Sequence, residues 1–104
     1  MEVIRNEIDG LLVIKPKVFG DVRGYFFESY NEDTYHKAGI DLLFVQDNIS
    51  KSKKGTIRGL HYQVGEFAQG KLCQVVSGKV LDVAVDVRFG SPTFGEYVAV
   101  ELSD

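Results

Sequence analysis

Short apolar and aromatic runs alternate with glycine-bearing polar stretches along the whole chain. Most runs are rich in β-branched residues and too short to be helices. This pattern predicts an all-β sandwich or barrel. Strands are expected near residues 3–5, 11–15, 24–30, 44–52, 55–62, 71–77, 79–88 and 96–102. One helix interrupts them. Asn31 is placed to cap it, Glu32 and Asp33 suit its positive end, and Gly39 is placed to stop it. Lys51-Ser52-Lys53-Lys54-Gly55 predicts a hairpin turn, Ser77-Gly78 a second tight turn, and Gly90-Ser91-Pro92-Thr93 a loop ending the longest strand.

Alternation within the strands assigns faces. Leu81, Val83, Val85 and Val87 fall on one side, which predicts packing between sheets, while Asp82, Ala84, Asp86 and Arg88 fall on the other. Gln46, Asn48 and Ser50 share a face, as do Gly24, Phe26 and Glu28. Several strands thus offer polar groups in register, as a barrel lumen holding a polar ligand requires.

At 104 residues the chain has the length of a single domain, 1–104. The net charge of −3 argues against a general nucleic-acid binder, so an anionic ligand must be met by a local cluster of cations. The lone cysteine, Cys73, excludes an internal disulfide and reads as a small buried hydrophobe in a strand. The chain has neither an apolar run of about 20 residues nor a signal-peptide pattern, so a soluble cytoplasmic protein is expected.

The chemistry concentrates in Arg58-Gly59-Leu60-His61-Tyr62-Gln63 and Ala68-Gln69-Gly70-Lys71. An imidazole exchanges protons near neutral pH, which suits a general base. Flanking cations favour its neutral form and can hold the negative charge left when a proton leaves carbon. Arg58 or Arg23 can grip a phosphate through a planar fork. Arg58 and His61 are three residues apart, so a regular strand sends them to opposite faces. An irregularity at Gly59-Leu60 is therefore expected to bring them into one cavity. The other histidine, His36, falls on the short helix as a surface residue. A metal centre fits poorly, because Gln63 stands where a cupin-type site wants its second histidine. Walker-type and dinucleotide-type glycine loops are also missing.

Together with Asp21-Val22-Arg23-Gly24-Tyr25-Phe26-Phe27-Glu28, Phe44-Val45-Gln46-Asp47-Asn48-Ile49-Ser50, Asp82-Val83-Ala84-Val85-Asp86-Val87-Arg88 and Ser91-Pro92-Thr93, these stretches resemble the dTDP-4-dehydrorhamnose 3,5-epimerase family in order and spacing. The resemblance implies a jelly-roll β-barrel of the cupin type, of which this chain is the N-terminal part. It implies a homodimer whose N-terminal segment contacts the partner's site, and no cofactor or metal. The implied reaction inverts both carbons flanking the ketone of dTDP-4-dehydro-6-deoxy-glucose, on the route to dTDP-rhamnose. By position, His61 resembles the proton acceptor and Lys71 the group beside the carbonyl oxygen. Arg58, Gln46, Asp47 and Asn48 resemble the sugar-nucleotide pocket, and Arg23, Phe26 and Glu28 the nucleotide contacts. Asp82 is a candidate to position Lys71. The family's proton-donor tyrosine and the aspartate that orients the base are expected beyond Asp104. Alternatives are a 3-epimerase or keto-isomerase of a dTDP-sugar, and a non-catalytic sugar-nucleotide binder.

Overall fold

The computed structural model describes residues 1–104. Six strands pair as three antiparallel hairpins: β1 (Glu2–Arg5) with β2 (Leu12–Lys15), β3 (Val18–Asp21) with β4 (Gly24–Phe27), and β5 (Lys79–Val85) with β6 (Tyr97–Ser103). A short helix, α1 (Glu32–Lys37), follows β4, and a 3₁₀ turn spans Gly65–Phe67. The all-β class with one short helix agrees with the hydrophobic pattern.

The helix forms as its capping residues dictate. The Asn31 side-chain oxygen accepts from the Thr34 amide at 3.1 Å, and Gly39 leaves the helix at φ +81. The buried apolar residues are Ile8 in the β1–β2 connection, Tyr35 in the helix and Ile40 just past Gly39. Tyr30 packs edge-on to both Tyr35 and Phe44, with ring centroids 5.0 and 5.6 Å apart, which ties the chain beyond the helix to Tyr35. Arg5 donates to the Ala38 carbonyl at 3.3 Å, placing a cation at the helix's negative end.

A second anchor sits at the end of β5. The Asp86 carboxylate is buried and accepts from the Arg88 guanidinium, the Ser91 hydroxyl and the Thr93 hydroxyl at 2.6–2.9 Å. Three donors on one carboxylate hold it well below the usual carboxylate range, with Arg88 the largest cause. The loop from Asp86 to Glu96 is therefore built around one charged side chain. Backbone bonds from Asp86 N to Glu96 O (2.9 Å) and Gly95 N to Asp86 O (2.7 Å) close it.

Several expectations are corrected. Residues 44–52, 55–62 and 71–77 are not in ladders. Strand propensity does not make a strand without a neighbour to receive its hydrogen bonds. Conversely β3 forms although its sequence is short and contains Gly20, because β4 lies beside it in the register Val18↔Phe27 to Asp21↔Gly24. Cys73 is exposed rather than buried, since residues 71–77 have no partner strand. Leu81, Val83 and Val87 are exposed because no second sheet covers that face of β5. The more covered face of the hairpin carries Val98, Val100 and Leu102 from β6.

The chain is open as a whole. Its radius of gyration is 15.3 Å, where a compact domain of this size has about 13 Å. Its accessible surface is 9218 Å², against about 5,800 Å² for a folded monomer of this mass.

Candidate active site

Gly59 has φ +116, a conformation that side-chain-bearing residues rarely adopt, so the expected irregularity is present. The Arg58 side chain turns back to donate to Ser52 Oγ at 2.9 Å and to the Lys51 carbonyl at 3.5 Å. Both acceptors are neutral, so the guanidinium keeps its full charge for an anion. The His61 ring sits beside Gly59: a Cβ there would lie 3.6 Å from Nδ1. His61 is exposed, as a base that must meet a ligand requires.

Lys71 follows Gly70, which crosses Leu42 so closely that a Cβ at Gly70 would stand 2.5 Å from Leu42 Cδ1. The ion pairs of the chain are Arg23–Asp21, Lys79–Glu101 and Arg88–Asp86. Lys71 is therefore unpaired, and Asp82 does not clamp it in a salt bridge. Crowding of the Cys73 sulfur pushes its thiol up, Asp82 adds to this and Lys71 opposes it, so both charged groups act within range of the same thiol. Gln46 Nε2 donates to Asn48 Oδ1 at 3.2 Å, which keeps the two on one side of the extended chain with exposed Asp47 between them.

Arg23, Phe26 and Glu28 belong to a separate part of the molecule, the β3–β4 hairpin and the chain just after it. Arg23 is the second turn residue. Its Nε and NH2 groups bind the Asp21 carboxylate at 2.6–3.3 Å, and its amide donates to Asp21 Oδ1 at 2.8 Å. The Arg23 guanidinium is the main reason Asp21 titrates below its ordinary range. Unlike Arg58, Arg23 is thus locally neutralised. An open hollow of about 450 Å³ is lined by Phe19, Asp21, Arg23, Tyr25 and Phe26 with two glycines. A neighbouring one of about 260 Å³ is lined by Phe19, Phe26, Glu28 and Tyr35 among others. Glu28 also accepts from Asn31 at 3.1 Å and so braces the helix cap. Neither hollow includes Arg58, His61 or Lys71. The two groups of candidate residues thus fall in different parts of the chain, and neither hollow joins them.

Sequence reasoning missed two supporting residues. Asp21 orders Arg23, and the signal was an acid two residues before an arginine across a tight turn. Ser52 holds Arg58 from six residues away, and nothing in the sequence pattern marks it. No three His, Cys, Asp or Glu side chains converge as metal ligands.

The family model described as dTDP-4-dehydrorhamnose 3,5-epimerase matches residues 5–104. The chain belongs to the dTDP-4-dehydrorhamnose 3,5-epimerase family. A relative from Salmonella typhimurium of that name is 58% identical over 104 residues, covering 99% of this chain and 57% of the relative. One from Escherichia coli is 52% identical over 104 residues, covering 99% of this chain and 56% of the relative. A crystal structure of the Bacillus anthracis enzyme with TDP and PPi bound superposes with TM-score 0.93 at 45% identity, covering 98% of this chain and 59% of that one. The Legionella pneumophila protein in complex with dTDP-4-keto-L-rhamnose superposes with TM-score 0.91 at 53% identity, covering 98% and 54%. The epimerase-family fold is therefore the cupin-type jelly roll. This chain spans less than three-fifths of the length of these relatives.

Proposed function

We propose that this chain carries the proton-abstracting side of a sugar-nucleotide 3,5-epimerase site, with dTDP-4-dehydro-6-deoxy-glucose as substrate and dTDP-4-dehydro-rhamnose as product. The observation that carries this reading is the exposed His61 in a family-matched segment that also carries Arg58 and Lys71, two cations that no protein carboxylate neutralises. The ketone acidifies the adjacent C–H bonds. Neutral His61 takes the proton, the C–H electron pair moves into the enolate, and the oxygen's developing charge is met by Lys71. Arg58 holds the diphosphate, and Gln46, Asp47 and Asn48 line the sugar. Inversion is completed when an acid returns a proton to the opposite face of each carbon.

Arg23, Phe26 and Glu28 serve as nucleotide contacts. Their separation from His61 supports a homodimer in which the β3–β4 hairpin reaches a partner's site. The hairpin carries exposed Phe19, Val22, Tyr25 and Phe26, which such a contact would cover. A nucleotide-sugar substrate supports a cytoplasmic location. No helix of the structure is long and apolar enough to cross a membrane.

Incubating the chain with dTDP-4-dehydro-6-deoxy-glucose and following the sugar ring by NMR tests the reading. Exchange of hydrogen for deuterium at both carbons flanking the ketone, in deuterium oxide, is the result expected of the proton-abstracting side. Change at one carbon would make it a 3-epimerase, and migration of the ketone a keto-isomerase. Binding with an unaltered sugar would make it a sugar-nucleotide binder.

A further inference from the structure

Positive charge is unevenly placed along the chain. Lys51, Lys53, Lys54, Arg58 and Lys71 fall within residues 51–71, against one acid, Glu66. That stretch carries +4, and the rest of the chain, with seven cations and fourteen acids, carries −7. The asymmetry is sharpest in residues 51–58, which hold four cations and no acid. A solvated face needs no single sign, since interspersed acids and bases keep it as soluble. The fold gives this run a shape. The Thr56 amide donates to the Lys53 carbonyl at 3.2 Å and Gly55 takes φ +81, so Lys54 and Gly55 form the tip of a tight turn. Arg58 is fastened to the same turn, donating to Ser52 Oγ at 2.9 Å and to the Lys51 carbonyl at 3.5 Å. Three residues of chain span at most about 11 Å. The backbone carrying the three lysines therefore lies within roughly one Debye length, about 10 Å at 0.1 M salt, of the point where the guanidinium is held. All three lysines are exposed, and the ion pairs of the chain use other residues.

We propose that the Lys51-Lys53-Lys54 turn is an electrostatic collector: it draws the diphosphate of an incoming nucleotide toward the site without itself binding it. The inference rests on the proposed reading of the site as one for a sugar nucleotide, with Arg58 as the diphosphate ligand. A body of net charge −3 slows the approach of an anion, so a local positive field governs where capture occurs. The two kinds of cation suit two tasks. A lysine ammonium is a strongly hydrated point charge on a flexible stem, which attracts at a distance and holds poorly. Arg58, fixed by two neutral acceptors, presents the planar fork that grips a phosphate. The lysines thus set the association rate and Arg58 the dissociation rate. At about 10 Å in water, three unit charges acting on a doubly charged diphosphate are worth about 20-fold in rate at 0.01 M salt, where the Debye length is about 30 Å. The same sum gives about threefold at 0.15 M and almost nothing at 1 M.

Stopped-flow fluorescence with dTDP labelled on its 3′ hydroxyl, at those three salt concentrations, tests this. Lys51→Gln, Lys53→Gln and Lys54→Gln combined should slow association at least about tenfold at 0.01 M, about threefold at 0.15 M and not at 1 M. Dissociation should stay within about twofold throughout. Arginine at the same three positions should keep the wild-type association rate. Lys15→Gln, Lys37→Gln and Lys79→Gln combined remove as much charge from elsewhere and should slow association by no more than about threefold at 0.01 M. Equal association by wild type and the turn variant at 0.01 M would overturn the proposal, as would equal slowing by the distant variant. Faster dissociation of the turn variant that persists at 1 M would also overturn it, by making the lysines direct ligands. Arg58→Gln should speed dissociation at least about tenfold. If it does so while the turn variant behaves as wild type, the proposed site stands and this inference falls. If Arg58→Gln dissociates as wild type does while the turn variant associates slowly, the collector stands and the assignment of Arg58 falls. Absence of dTDP binding by the wild-type protein would overturn both.

Discussion

Replacing Gly59 by alanine probes whether local backbone shape builds the cationic side of the site. At φ +116 an L-residue carries strain of about 1–3 kcal/mol. The added methyl itself is tolerated, since its nearest neighbours, His61 Nδ1 and N, would be 3.6 and 3.7 Å away. The penalty is therefore torsional. Residues 58–62 are in no ladder, so the chain can relieve it by turning the peptide locally. That movement breaks the 2.9 Å bond from Arg58 to Ser52 and swings the guanidinium off its position. A hydrogen bond to a charged group is worth about 1.5–3 kcal/mol, or about 10- to 150-fold in affinity. Titration calorimetry with dTDP should show Gly59→Ala binding at least about tenfold more weakly than wild type. Gly55→Ala, strained in the same sense at φ +81 but at the turn tip, should bind within about twofold of wild type. The thermal midpoint should move little for Gly59→Ala. If the strain were instead retained in the folded state, it would fall by roughly 5–20 °C. Equal dTDP affinity for Gly59→Ala and wild type would refute the reasoning.

Tyr35→Ala should cost about 3–5 kcal/mol by urea denaturation, because it removes one of the few buried apolar side chains and the edge contact to Tyr30. Asn31→Ala should cost about 1 kcal/mol in the same assay, by orphaning the Thr34 amide and releasing Glu28. The 86–96 loop should loosen in acid: Asp86 is depressed when folded, so its stabilisation is complete above the ordinary carboxylate range and drains as pH falls through the lowered value. Arg88 and Gly95 amide shifts between pH 7 and pH 2 would follow this, and Asp86→Asn should flatten the profile.

Local chemistry was legible in the sequence, and pairing partners were not. Asn31 and Gly39 bound the helix because capping is decided within a few residues, and the strands near 3–5, 11–15, 79–88 and 96–102 found neighbours within the same hairpin. The strands read at 44–52, 55–62 and 71–77 depend on neighbours from outside their own stretch, which no local pattern supplies. Cys73 and Leu81 were misjudged for the same reason: alternation says which residues share a face but not whether a second layer covers it. For the site, glycine spacing foretold the irregularity at Gly59. That Arg58 is held by neutral acceptors while Arg23 is held by a carboxylate emerged only from the fold.

The central claim is that the imidazole of His61 removes a proton from carbon beside a ketone. In deuterium oxide, wild-type chain should wash deuterium into dTDP-4-dehydro-6-deoxy-glucose at the carbons flanking the keto group, and His61→Ala should reduce that rate by about 100-fold or more. Equal deuterium incorporation by the two proteins would contradict the account.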